Sequence, residues 1–92
     1  MSPDLATLAQ QADNALIAFL RAELELGLTF VNTAKVEVGF DAEGEQRARQ
    51  LAQEALETIE RFRVRIPDPV IQAELQKGVS ELEKLLSSLR AK

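Results

Sequence analysis

Apolar residues recur at helical spacing along three stretches of the chain, with glycine or proline between them. In the first stretch the row runs Leu5, Leu8, Ala12, Leu16, Phe19/Leu20, Gly27, Phe30/Val31 and Ala34. Steps of this kind place side chains on one face of an α-helix. Ile17, Leu24 and Leu28 widen the row and Glu23 interrupts it. Ser2 suits an N-cap, Pro3 the first helical position and Asp4 the positive end of the helix dipole. The pattern predicts a first helix over about 3–37. Gly39 fits the position just past a helix end, and Phe40 the apolar contact that accompanies such a cap. Asp13-Asn14 offers an alternative start, because both residue types often begin helices.

The second stretch repeats Ala48, Ala52, Ala55, Ile59, Phe62 and Ile66 in alternating steps of four and three, a heptad seam. Asp41 is its expected N-cap and Glu43 sits in its first turn, so a second helix is predicted over about 42–65. The run Arg61 to Ile66 also alternates like a strand. The heptad enters it in phase and no second strand is available to pair with it, so the helix reading stands. Pro67-Asp68-Pro69 is the clearest punctuation. Pro67 disfavours helix at Ile66, Asp68 is an N-cap and Pro69 a first helical residue. A third helix over about 69–90 then carries the seam Ile71, Leu75, Gly78, Leu82, Leu85, Leu89, widened by Val79 and Leu86. Gly78 on this seam would permit a close helix approach.

Short connections make consecutive helices antiparallel neighbours. The expected fold is therefore an all-α, antiparallel three-helix bundle with a long first helix, one domain over 1–92. Folding the second and third helices about Asp68 brings Glu74 between Arg61 and Arg63, and Lys77 between Glu57 and Glu60. Folding the first two about Gly39 brings Asp13 near Arg65. The first helix, at ~52 Å for ~35 residues, outruns the other two. Roughly its first dozen residues either overhang the bundle or fold back over it. In the first case Leu5, Leu8, Ala12 and Leu16 form an apolar row without a partner inside the chain.

Composition narrows the chemistry. The 92 residues are 46% hydrophobic, 28% charged and 4% aromatic, which is globular rather than disordered. There is no Cys and no His, which removes disulfides, the usual general base and the usual ligands of zinc. No stretch is apolar enough to span a bilayer, because Arg21, Glu23 and Glu25 break up the strongest one. Met1-Ser2-Pro3-Asp4 lacks the basic start of a signal peptide, so cytoplasmic residence is the expectation. The net charge of −4 is uneven. Residues 1–45 hold eight acids against two bases, and residues 46–92 hold nine bases against seven acids. An acidic chain of this kind is a poor nucleic-acid binder.

Catalysis has little raw material. Ser2, Ser80, Ser87 and Ser88 lie near termini or on the third helix, outside any nucleophile elbow, and no Gly-rich phosphate loop is present. Glu54, Glu57 and Glu60 flank the seam of the second helix, where solvated carboxylates belong. No enzyme activity, cofactor or metal is expected. Arg61, Arg63 and Arg65 form the single basic cluster, a candidate contact for an anion or an acidic partner. A complement to the helix dipole is the simpler account.

Leu26-Gly27-Leu28-Thr29-Phe30 resembles the Leu-Gly-x-x-aromatic core of the first helix of a tetratricopeptide repeat. Ala48 and Ala55, seven apart, are similar to the small residues of its second helix. Glu23, Ala52 and the late turn at Gly39 depart from that pattern, and no period near 34 is present. The longer helices look more like three-helix relatives such as microtubule-interacting-and-trafficking domains. The resemblance covers roughly residues 20–56 and implies a protein-interaction role. The functional expectation is thus a non-catalytic interaction or scaffold module, with a protein partner or a second copy in a two-fold dimer. An anion- or nucleic-acid-binding protein using the arginine cluster is the alternative.

Overall fold

The computed structural model describes residues 4–90. Three helices follow one another, α1 (Leu5–Glu37), α2 (Ala42–Phe62) and α3 (Pro69–Arg90), with a 3₁₀ turn at Arg63–Arg65 between the last two. The all-α three-helix architecture and the long first helix agree with the sequence pattern. The particle measures 59 × 24 × 16 Å.

The helix boundaries have local causes. Asp4 caps α1, accepting the Ala6 N–H on Oδ1 at 3.2 Å. The expected N-cap Ser2 and first helical residue Pro3 lie outside the described residues. α1 runs unbroken through Asp13-Asn14, so the fold-back alternative does not occur. It ends at Val38, whose N–H reaches the Ala34 carbonyl. Gly39 follows with φ at +83°, the left-handed conformation that a side chain opposes. The Glu37 carbonyl accepts both the Phe40 and Asp41 N–H groups. That tight closure leaves Phe40 90% exposed, so the anticipated apolar contact is not made. Asp41 caps α2 as expected, taking the Gly44 N–H at 3.1 Å.

α2 stops at Phe62, three residues before the expected end. Pro67 cannot donate to the ladder and forces extended backbone on Ile66, so the last residues tighten into a 3₁₀ turn closed by Ile66 N–H to the Arg63 carbonyl. Asp68 then caps α3 through the Val70 N–H at 2.8 Å.

The core joins all three seams. Leu20, Ile59, Leu75, Leu82, Val31 and Val79 are its largest fully buried side chains, and Ala34, Ala48, Ala52, Leu56, Ile66, Leu86 and Leu89 complete it. Small residues set the spacing. Gly27 lies against Leu82 of α3 and Ala55 of α2, and Gly78 lies against Leu24 of α1. α1 and α3 therefore run parallel, with Leu24–Gly78 and Gly27–Leu82 in step, and α2 runs antiparallel between them.

This arrangement corrects the charge register. Glu74 pairs with Arg21 at 2.7 and 2.9 Å, not with Arg61 or Arg63. It sits one position before core residue Leu75, on the flank of α3 that Gly78 turns toward α1. Lys77 and Asp13 form no ion pair among the described residues. Gly27 touches both Leu82 and Ala55, so α3 stays in step with α2 and Glu74 is level with Arg63 but turned toward α1, while the α1–α2 turn sets Arg65 level with about residue 17, several residues from Asp13.

Candidate interaction surface

The register fixes how far α1 projects. Partners on α1 and α3 differ by 53 to 55 positions, which sets Pro69 beside about residue 15. The Gly27–Ala55 contact sets Phe62 beside about residue 20 of α1. The first ten residues of α1, roughly 15 Å at 1.5 Å per residue, extend past both neighbours. Here Leu5 is 82% and Leu8 45% exposed, and Ala12 is exposed as well. Leu16, the fourth member of the expected row, is instead half-buried against the core.

The exposed row does not end with the overhang. Stepping by three and four from Leu5 leads through Leu8, Ala12, Ala15, Phe19, Ala22, Leu26, Thr29 and Thr33 to Val36. All ten positions are exposed and none is charged. Phe19 and Leu26 keep nearly half their surface in water and Val36 is 71% exposed. α1 thus carries two seams. Its core seam buries Leu20, Gly27, Val31 and Ala34, and the second seam runs beside it on the flank nearer α2. Because 3.5 falls short of the helical period of 3.6, the second seam drifts toward the outer side of the helix as it ascends. Sequence reading merged Phe19 with Leu20 and Phe30 with Val31 into one wide stripe. Burial separates the first pair. Leu20 is enclosed, whereas Phe19 faces out.

The acids Asp4, Glu23, Glu25 and Glu37 border this seam. The bases of α1, Arg21 and Lys35, lie on the side toward α3. Arg21 is held by Glu74, and the hydrogen bond and charge of Glu74 raise its pKa above the ordinary guanidinium value. The same hydrogen bond from Arg21 lowers the Glu74 carboxyl below the usual glutamate range. Glu23 is half-buried, and no charged residue is fully buried among the described residues.

The arginine cluster does not converge on one point. Arg63 pairs with Glu60 at 3.2 Å, and the Arg65 guanidinium lies 5.1 Å above the Phe62 ring. Arg61 is exposed. Beside these residues Gln72 plays a part that sequence reasoning missed. Its side-chain amide donates to the Arg63 and Ile66 carbonyls at 2.5 and 2.8 Å, clipping the end of α2 to the first turn of α3. A glutamine three residues into a helix after Pro-Asp-Pro was the available signal.

Among the described residues no three acidic, Cys or His groups gather as metal ligands, and no helix is long and apolar enough to cross a membrane. Comparison with family models, curated proteins and solved structures finds no match.

Proposed function

We propose that this chain is a non-catalytic interaction or scaffold module that docks another helix along the exposed seam of α1. The observation that carries the reading is the run of ten uncharged, solvent-facing positions at heptad spacing on one continuous helix. A 3.5-residue repeat of this kind is the pattern by which one helix packs knobs into the holes of another. The core does not need these side chains, and apolar rows left in water usually mark a contact surface. The resemblance of residues 20–56 to a tetratricopeptide-like helical hairpin supports the same role, and a cysteine-free chain fits a cytoplasmic setting. The alternative reading, an anion- or nucleic-acid-binding protein, draws less support, because Arg63 and Arg65 already engage Glu60 and Phe62.

Photo-crosslinking in cells tests the role. A photoreactive residue in place of Ala15 should yield a covalent adduct with a protein, a second copy included. Adding Phe19→Glu should remove that adduct while the circular dichroism of the chain stays the same. If no adduct forms, or if it survives Phe19→Glu, the seam is not a docking surface.

A further inference from the structure

The outer seam, the overhang and the end of the bundle together form a step whose two faces complement each other. The overhang is the tread. The riser is the bundle end, made of the 3₁₀ turn and the first turn of α3, where Val64 and Val70 are 70% and 72% exposed. The charges are opposite. The described overhang carries the acids Asp4 and Asp13 and no base, whereas the bundle end carries Arg61, Arg63 and Arg65 against Asp68 and the Glu60 that pairs with Arg63.

We propose that the occupant of the seam is a second copy of this chain, docked antiparallel about a two-fold axis near Asp13 and Asn14. This rests on reading the seam as a docking face. Two facts select the axis. In an antiparallel pair joined along this flank, both bundles lie on the same side of the paired α1 helices, so they must not overlap along the axis. Each bundle begins beside about residue 15, and an axis at 13–14 brings the two ends together with about one turn of helix between them. In that register large residues meet small ones or each other in a regular order. Leu5 meets Ala22 of the second copy, Leu8 meets Phe19, and Ala12 meets Ala15. The central alanines let the two helices approach closely.

Electrostatics agrees with the same register. Asp13 of each copy lies beside Asn14 of the other, in the gap between the two bundle ends and about one turn of helix from the level of the other copy's Arg65, which lies exposed over Phe62. The one like-charge approach, Asp4 toward Glu25 of the second copy, falls on the open side, where water and salt screen it. An isologous contact of this form closes on itself, so assembly stops at two chains.

The absence of native cysteine gives a direct test with the purified full chain. Light scattering from low to high micromolar concentration should show a monomer–dimer equilibrium, and Leu8→Glu should raise its dissociation constant at least tenfold without loss of helix. Oxidation of the double variant Leu5→Cys/Ala22→Cys should give a covalent dimer. Neither single variant should do so, because in this register identical residues lie ~25 Å apart along the helices. The two positions in one chain are equally far apart, so no internal disulfide competes. Crosslinking by the single variants would mean a parallel pair and would overturn the proposal. So would a double variant that stays uncrosslinked with parental circular dichroism, or a monomer at high micromolar concentration. A monomer that still gives the Phe19-dependent adduct in cells would overturn only the second copy and leave the docking role in place.

Discussion

At the scale of single residues, Gly27 and Gly78 are the two places where the bundle depends on a missing side chain. A Cβ at Gly27 would stand 2.8 Å from Cδ2 of Leu82, which is fully buried and has no room to retreat. A Cβ at Gly78 would fall on Leu24, which is half-buried and has a free side toward solvent. Alanine is the better helix former by up to ~1 kcal/mol, so propensity and packing oppose each other at both sites. Overpacking costs about 1–3 kcal/mol when the neighbours cannot move. Gly27→Ala is therefore expected to destabilise by roughly 1–2 kcal/mol. Gly78→Ala should cost less, because Leu24 can swing outward. Urea denaturation at matched monomer concentration checks the order. If Gly27→Ala proves the more stable variant of the two, the close packing of Leu82 on α1 is misread.

At the scale of elements, the turn from α2 to α3 is held by more than its prolines. Ending a helix frees carbonyls that need donors. The 3₁₀ turn satisfies the Arg63 carbonyl, and the Gln72 side chain gives that carbonyl a second donor and supplies one to the Ile66 carbonyl. Gln72→Ala removes both bonds, leaving the Arg63 carbonyl with the Ile66 N–H alone and the Ile66 carbonyl to water. The expected cost is about 1–2 kcal/mol, at an unchanged denaturant slope because the buried surface is nearly the same. Asp68 caps the same turn from its other side, so Gln72→Ala should also speed amide exchange at Val70 and through the 3₁₀ turn, while α1 keeps its protection. A loss confined to α1 would place the clip elsewhere.

At the scale of the whole molecule, the 59 Å length reflects a helix that outruns its bundle. Among the described residues neither Leu5 nor Leu8 packs against the core, and the residues of α1 that enter it begin with half-buried Leu16 and Ile17. Deleting residues 1–12 should shorten α1 and leave the bundle standing. Its monomer stability should change by no more than about 0.5 kcal/mol, the range of surface substitutions that touch nothing. Helicity should fall only by the share of the residues removed. Chemical denaturation of the deleted chain at low concentration checks this. A large loss of stability would show that the overhang belongs to the core.

The residue pattern by itself determined the elements. Helical spacing, Asp41 and Asp68 as caps, Gly39 past a helix end and the Pro67-Asp68-Pro69 break are local signals, set by backbone dihedrals and hydrogen bonds within a few residues. Most core positions on α2 and α3 were legible for the same reason, since each of those helices has one apolar face. α1 was not legible in this way. It has two seams one heptad position apart, and periodicity alone cannot say which of Phe19 and Leu20 faces a neighbour. That depends on where α2 and α3 lie around α1, a matter of packing between segments distant in sequence. The partner of Glu74 has the same cause. Folding the chain about its turns placed it beside the arginines of α2, whereas the contacts of Leu24 with Gly78 and of Gly27 with Leu82 placed it beside Arg21. The continuity of α1 through Asp13-Asn14 was also open locally. Two residues that often begin helices were overruled by the turns on either side. The tertiary structure alone decided which apolar residues remain in water, and on α1 those residues form the candidate site.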